Sequence, residues 1–316
     1  MSDPLIALVF PGQGSQKVGM LAAAHERFQA VRDTFAEASQ ALGYDMWDLV
    51  QNVEQDALNL TETTQPVLLT SSVALWRAWL DEGGPRPAIM AGHSLGEFSA
   101  LVCADSLAFA DAVQLVRQRG AFMQTAVPVG EGAMAAIIGL DDDTINRVCS
   151  EAATHSGRTV AAVNFNSPGQ VVIAGHTGGV DEAITRLKEA GAKRAMPLPV
   201  SAPFHTELMR PAGERLAEAV AGLSITAPAI PVVHNVHAQT EQDPQRIREL
   251  LVEQIYSPVQ WTRCMQTIVD AGATAVVECG PGKVLSGLGR RIDKSLQCFS
   301  VEEPDDLLAA VAALKV

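Results

Sequence analysis

The residues Gly92-His93-Ser94-Leu95-Gly96 form a Gly-x-Ser-x-Gly pattern. Their setting gives the pattern its meaning. Pro87 to Ala91 is a short apolar run, as a buried parallel strand requires. Leu95 to Phe109 is rich in Ala and Leu and predicts a helix. A serine at that strand-to-helix corner, flanked by glycines that allow a sharp turn, presents its hydroxyl free at a helix N-terminus. The unpaired N–H groups there can stabilise a developing oxyanion. The chemistry this suggests is nucleophilic attack by Ser94 on an acyl carbonyl; the competing reading is a structural turn.

Such a serine needs a base. Of the seven histidines, His93 is adjacent but is expected to point away across the corner. His25, His155 and His176 sit in surface-like helix or turn contexts. His205 follows Pro203-Phe204 at the start of a helix from Glu207, and His234 lies in an expected strand from Ile230 to Val236, with His237 close by. His205 and His234 both remain candidates, and no acidic residue stands out as a triad partner. Arg119 lies on a mainly apolar stretch with Phe122 and Met123. Two readings are open for it: a side chain snorkelling to water, or a guanidinium fork aimed at a substrate carboxylate. Pro11-Gly12-Gln13-Gly14-Ser15-Gln16 follows the first strand. It lacks the third glycine of a dinucleotide loop and the Gly-Lys-Ser/Thr of a phosphate loop. It reads as a tight loop at the carboxyl edge of the sheet, with backbone N–H groups able to face Ser94, or as a plain turn. Gly280-Pro281-Gly282-Lys283 has the wrong spacing for a phosphate loop.

Bulk properties bound the rest. The 316 residues, 47% hydrophobic and 19% charged, suffice for one large domain or a large and a small one. A net charge of −13 makes nucleic acid a poor partner and means that an anionic substrate needs a local cationic site. The five cysteines, Cys103, Cys149, Cys264, Cys279 and Cys298, contain no C-x-x-C and suit a reducing cytoplasm rather than disulfides or zinc. No apolar run approaches the ~18 residues of a membrane span, and Met1-Ser2-Asp3-Pro4 lacks the basic start of a signal peptide.

These side chains need a scaffold. Leu5 to Phe10 predicts a buried first strand. Residues from Met20 to Leu80 read as helical with loops, with Thr64-Gln65-Pro66 starting a helix to Leu80 and Pro66 in its first turn. Helix continues from Asp105 to Gln124. The rhythm then changes. Strands are expected at Ala133 to Leu140, Thr159 to Asn164, Gln170 to Ala174 and Arg194 to Leu198, with helices at Asp141 to Thr154 and Val180 to Ala190. That βαββαβ order over about 70 residues is the ferredoxin-like plan. It predicts a small domain at 129–199 inserted into a large α/β domain, 1–128 and 200–316, of α/β-hydrolase-like type with a parallel sheet. Ala275 to Glu278 is the last parallel strand expected, before a helix with Arg290 and Arg291.

Taken together, Phe10 to Gln16, Gly92 to Glu97, Arg119-Gly120 with Met123-Gln124, Asn164 to Pro168, Pro203-Phe204-His205 and Gly280-Pro281-Gly282 occur in the order seen in one family. The chain resembles, over essentially its whole length, the malonyl-CoA:acyl-carrier-protein transacylases of bacterial type II fatty acid synthesis. The resemblance implies a ping-pong acyl transfer without cofactor or metal. Ser94 is then the nucleophile and His205 the base, oriented by the backbone carbonyl of Gln254. Gln13 and Leu95 supply the oxyanion-hole N–H groups. Arg119 holds the malonyl carboxylate, and Phe204 matches a malonyl-selecting pattern. The implied partners are malonyl-CoA and an acyl carrier protein, with neither nucleic acid nor membrane, in the cytoplasm. An acidic carrier docking on an acidic enzyme calls for a local basic patch, for which Lys193, Arg194, Lys283, Arg290 and Arg291 are candidates. The rival readings are a serine hydrolase, an acyltransferase serving polyketide synthesis, and a binding module that has kept the fold.

Overall fold

A computed structural model describes residues 5–200 and 202–315. Its strands, in chain order, are β1 (Leu5–Phe10), β2 (Ile89–Gly92), β3 (Gly132–Ile138), β4 (Val160–Ser167), β5 (Gln170–His176), β6 (Arg194–Pro197), β7 (Val232–Val233), β8 (Ala273–Glu278) and β9 (Gln297–Ser300). Two sheets result, ordered β7-β2-β1-β8-β9 and β4-β5-β3-β6.

The first sheet is parallel throughout. Its central strand β1 carries apolar side chains on both faces because both faces are covered. Leu8 and Phe10 join the core built with the helices Gln29–Leu42, Thr61–Asp81 and Phe109–Thr125. Ala7 and Val9 join the opposite core, built with Trp261–Asp270 and Val284–Ile292. Phe10 pairs with Gly92, so the loop after β1 and the corner after β2 emerge side by side at the carboxyl edge of the sheet. This is where ligands bind in open α/β sheets.

The second sheet lies within residues 132–197. Its pairs are all antiparallel, and the order β4-β5-β3-β6 with helices Asp142–Ser156 and Thr177–Glu189 is the ferredoxin-like arrangement. The end of β4 is tied to the large sheet's side of the molecule. Phe165 N donates to Val259 O at 3.0 Å and Val259 N donates to Val163 O at 2.8 Å. That tie brings Asn164 and Asn166 over the corner that carries Ser94.

The structure departs from the sequence-based reading in several elements. The helix expected from Thr64 begins at Thr61, so Pro66 lies inside it rather than in its first turn. The carbonyl of Leu60 accepts from both Thr63 and Thr64, starting the helix early, and Pro66 forgoes only the bond to the Glu62 carbonyl. A Cβ on Gly120 would meet Thr61 O at 2.5 Å, so this glycine lets the two helices close up. The helix expected to run from Leu95 without interruption ends at Cys103, and a new one starts at Phe109. Between them Asp105 has φ 59 and Leu107 bridges to Ile225, a tertiary pairing that overrides helix propensity. The strand expected at Ile230 to Val236 is only Val232–Val233, because the chain turns back at His234, whose carbonyl accepts from Ala238 N. Strand β9, which pairs with β8, was not anticipated: as a partly exposed edge strand of mixed polarity it lacks an apolar run. Among the described residues no helix is long and apolar enough to cross a membrane.

Candidate active site

Ser94 stands at the turn from β2 into the helix Leu95–Cys103, with φ 50 and ψ −106. Few non-glycine residues adopt this backbone, and strain of this kind concentrates at functional sites. The flanking glycines are required by contact. A Cβ on Gly92 would lie 1.8 Å from Gly96 C, and one on Gly96 would lie 2.0 Å from Phe10 O. Asn235, just beyond β7, braces the corner from outside. Its Oδ1 accepts from Ser94 N at 2.7 Å and its Nδ2 donates to Gly92 O at 2.7 Å.

With its own N–H engaged by Asn235, Ser94 leaves two neighbours free. Among the described residues neither Leu95 N nor Gln13 N has a hydrogen-bond partner, and both residues line the cavity over Ser94. One N–H comes from the start of a helix and the other from the loop after β1. Together they can serve as donors to an oxyanion.

Of the two candidate histidines, His205 reaches Ser94. Its Nε2 accepts from Ser94 Oγ at 2.9 Å, and its Nδ1 donates to the Gln254 carbonyl at 2.8 Å. The second bond fixes the tautomer that leaves Nε2 able to take a proton. Burial, and then the neighbouring charge of Arg119, lower the His205 pKa to about 3, so the ring is neutral at pH 7. Among the described residues no carboxylate is bonded to this histidine. His234 is instead buried beneath the corner, its Nδ1 2.7 Å from Glu97 Oε1. His93 differs from expectation: it does not leave the site. It donates from Nε2 to Asn166 Oδ1 at 2.8 Å, because the end of β4 folds over that side of the corner.

Arg119 does not snorkel to water: 1% of its surface is exposed. Its Nη1 donates to Gln65 Oε1 at 2.8 Å; its Nη2 donates to Gln254 Oε1 at 2.8 Å and to Ser94 Oγ at 3.2 Å. Its Nε has no partner among the described residues. Burial lowers its pKa to about 10, partly countered by Glu97, so it is a cation at neutral pH. A cation held this way in a small cavity lined by Met123, Met134, Leu198, Val200 and Phe204 is suited to a ligand carboxylate. That cavity has a volume of about 120 Å³, and it shares Gln13, His93, Asn164, Leu198 and Val200 with an outer one of about 510 Å³. The inner space fits a short acyl group, and the outer one leads from it to the surface.

This combination of a serine corner, histidine base and buried arginine can be compared with known proteins. Residues 7–302 match the model of the acyl transferase domain. The chain belongs to the malonyl CoA-acyl carrier protein transacylase family of acyl transferases. The transacylase of Salmonella typhimurium is 56% identical over 305 residues, 96% of this chain and 98% of its own. That of Bacillus subtilis is 44% identical over 310 residues, 98% of this chain and 97% of its own. Among solved structures, the transacylase of Coxiella burnetii superposes with a TM-score of 0.97 at 46% identity, covering 99% of each chain. A malonyl-transacylase solved with a type II polyketide synthase acyl-carrier protein has a TM-score of 0.96 at 50% identity, covering 98% of this chain and 99% of its own.

Within this transacylase family fold, the six site residues singled out in the sequence, Gln13, Ser94, Leu95, Arg119, His205 and Gln254, all come to one place. Sequence reasoning missed four others: Gln65, Glu97, His234 as a structural partner, and Asn235. The side chain of Gln254 was missed as well as its carbonyl found: its Nε2 donates to Ser94 O at 3.0 Å and Glu97 Oε2 at 2.8 Å. Glu97 alone carried a signal, an acid within the first turn of the helix that starts at the serine corner. The rest are uncharged or commonplace residues whose roles depend on distant segments meeting.

Proposed function

We propose that this chain transfers a malonyl group from malonyl-CoA to the phosphopantetheine thiol of an acyl carrier protein, through a malonyl ester on Ser94. The observation that carries the reading is the buried Arg119 guanidinium 3.2 Å from the nucleophile, in an otherwise largely apolar acyl cavity. A buried cation selects an acyl group that ends in a carboxylate. An acetyl group leaves the cation unpaired, at a cost of about 3–5 kcal/mol. The names of the relatives point to the same substrate and acceptor.

In the first half-reaction, Ser94 Oγ attacks the thioester carbonyl while His205 Nε2 takes the hydroxyl proton. The N–H groups of Gln13 and Leu95 hold the oxyanion of the tetrahedral intermediate, each donor worth about 3 kcal/mol in systems of this kind. Collapse breaks the C–S bond, and the proton passes from His205 to the CoA sulfur. The Gln254 carbonyl keeps the imidazolium oriented. The second half runs the same steps with the carrier thiol: His205 takes its proton, sulfur attacks the ester, and the proton returns to Ser94. No cofactor takes part in this scheme. In the division we favour, 1–128 with 200–316 and 129–199, every reacting group sits on the large domain and the small one roofs the outer cavity. The setting is the cytoplasm, and the product serves as the extender unit of fatty acid synthesis. Exposed Lys193, Arg194, Lys283, Arg290 and Arg291 lie on segments flanking that cavity and are the carrier-docking candidates.

The test is intact-protein mass after brief exposure to malonyl-CoA or acetyl-CoA. A malonyl adduct on the wild type, absent from Ser94→Ala, is expected, followed by its discharge onto carrier protein. Release of free malonate without transfer to the carrier supports a hydrolase instead.

A further inference from the structure

Beneath Ser94 lies a fully buried carboxylate that the reaction scheme does not use. Glu97 and His234 are both 0% exposed. The two oxygens of Glu97 accept three hydrogen bonds: from His234 Nδ1 at 2.7 Å, Asn235 N at 2.9 Å and Gln254 Nε2 at 2.8 Å. The Gln254 amide is thereby left one orientation. Its NH2 faces two acceptors, Glu97 Oε2 and Ser94 O, and its oxygen faces the guanidinium of Arg119, which can only donate. With the amide turned over, NH2 would face guanidinium and oxygen would face carboxylate, and both contacts would be repulsive. Arg119 is held between two amide oxygens, that of Gln254 and that of Gln65.

We propose that Glu97 is a positioning residue for substrate selection: it fixes the amide of Gln254, which aims the Arg119 fork into the acyl cavity. This rests on the malonyl-transfer reading. Glu97 touches no substrate, and its influence on Arg119 passes through the Gln254 side chain. The same carboxylate also receives Asn235 N, so the bracket on the Ser94 corner and the aim of Arg119 share one anchor.

The experiment compares loading rates for malonyl-CoA and acetyl-CoA in wild type, Glu97→Ala, Glu97→Gln and Gln254→Met. Glu97→Ala frees the Gln254 amide and is expected to lower the malonyl-to-acetyl ratio on the order of tenfold. Most of that loss should lie in KM for malonyl-CoA. Glu97→Gln is expected to restore most of the ratio. Its amide oxygen still accepts from Asn235 N and Gln254, and its NH2 can face a His234 that has moved its proton to Nε2, an atom with no partner to lose. Gln254→Met removes the amide but keeps the backbone carbonyl that holds His205, and it should reproduce the fall in ratio even if Glu97→Ala does not fold. Equal slowing with both thioesters in Glu97→Ala and Gln254→Met would mean a merely structural role and overturn the proposal. So would a Glu97→Gln ratio as low as that of Glu97→Ala. A wild type that takes no malonyl group overturns the functional reading itself, which separates the two failures.

Discussion

Ser94 and His205 share a hydrogen bond of 2.9 Å, and both have a positive φ, 50 and 64. The two partners in the proposed proton transfer are thus held in backbone conformations that side-chain-bearing residues rarely adopt. The surrounding bonds that maintain them are Asn235 on Ser94 N and the Gln254 carbonyl on His205 Nδ1.

The strain at Ser94 is measurable apart from activity. Ser94→Ala and Ser94→Gly both remove the hydroxyl, but only glycine relaxes φ 50, ψ −106. Both variants should fail to form an adduct, and Ser94→Gly should be more stable than Ser94→Ala by about 1 kcal/mol in urea unfolding. Equal stability of the two would show the corner to be unstrained.

His205 links stability to pH. Its folded pKa of about 3 lies below the 6.5 of an ordinary histidine, so between these values the unfolded chain binds a proton that the folded chain does not. The contribution of the neutral ring to stability is present above pH 6.5 and lost as pH falls toward 3. His205→Gln, which can still donate to the Gln254 carbonyl, should lose less stability than wild type between pH 7 and pH 4.5, while its loading rate drops about 10²–10⁴-fold. Parallel unfolding midpoints at the two pH values would refute the linkage.

Replacing Arg119 by Met separates folding from selection. Among the described residues no carboxylate pairs directly with the guanidinium; methionine keeps much of its volume but leaves the amide oxygens of Gln65 and Gln254 without their donor. Arg119→Met should fold, with a stability lowered by about 1–3 kcal/mol, yet lose its preference for malonyl over acetyl by about 10²-fold or more. A retained preference in calorimetrically folded protein would remove Arg119 from substrate recognition.

Carrier docking should answer to charge at the mouth of the outer cavity. Arg291 reaches across to Gln170 of β5, and Arg194 lies on β6. Charge reversal at Arg194 or Arg290 should raise the apparent KM for carrier protein and leave slow hydrolysis of the acyl-enzyme unaltered. Rising salt should have the same effect on KM. If none of the five basic residues changes KM, docking lies elsewhere.

How legible was this in the sequence? The corner at Ser94 was, because two glycines, an apolar run and a helical stretch all bear on adjacent positions. The ferredoxin-like order of β3 to β6 was, because strand and helix periods alternate cleanly between residues 132 and 197. The pairing of His205 with Ser94 was not fixed by spacing: 111 residues separate them, and His234 was an equal candidate until the resemblance to a family was weighed. Arg119 was ambiguous for a physical reason, since a long cationic side chain on an apolar helix can snorkel outward or be held inward. Its direction depends on Gln65 and Gln254, which lie 54 and 135 residues away in sequence. Strand β9 and the break at Asp105 escaped because each is decided by a neighbouring segment rather than by local propensity.

The two residues whose N–H groups we assign to the oxyanion follow neighbouring strands, Gln13 after β1 and Leu95 after β2, and they line one cavity because Phe10 pairs with Gly92. Neither half is of use alone. A chain in which these two strands have parted keeps its serine and histidine but loses the paired donors proposed to hold a negative oxygen. On the proposed scheme, thioester cleavage is therefore confined to molecules in which β1 and β2 are paired, so that the assembly of the sheet itself switches the chemistry on.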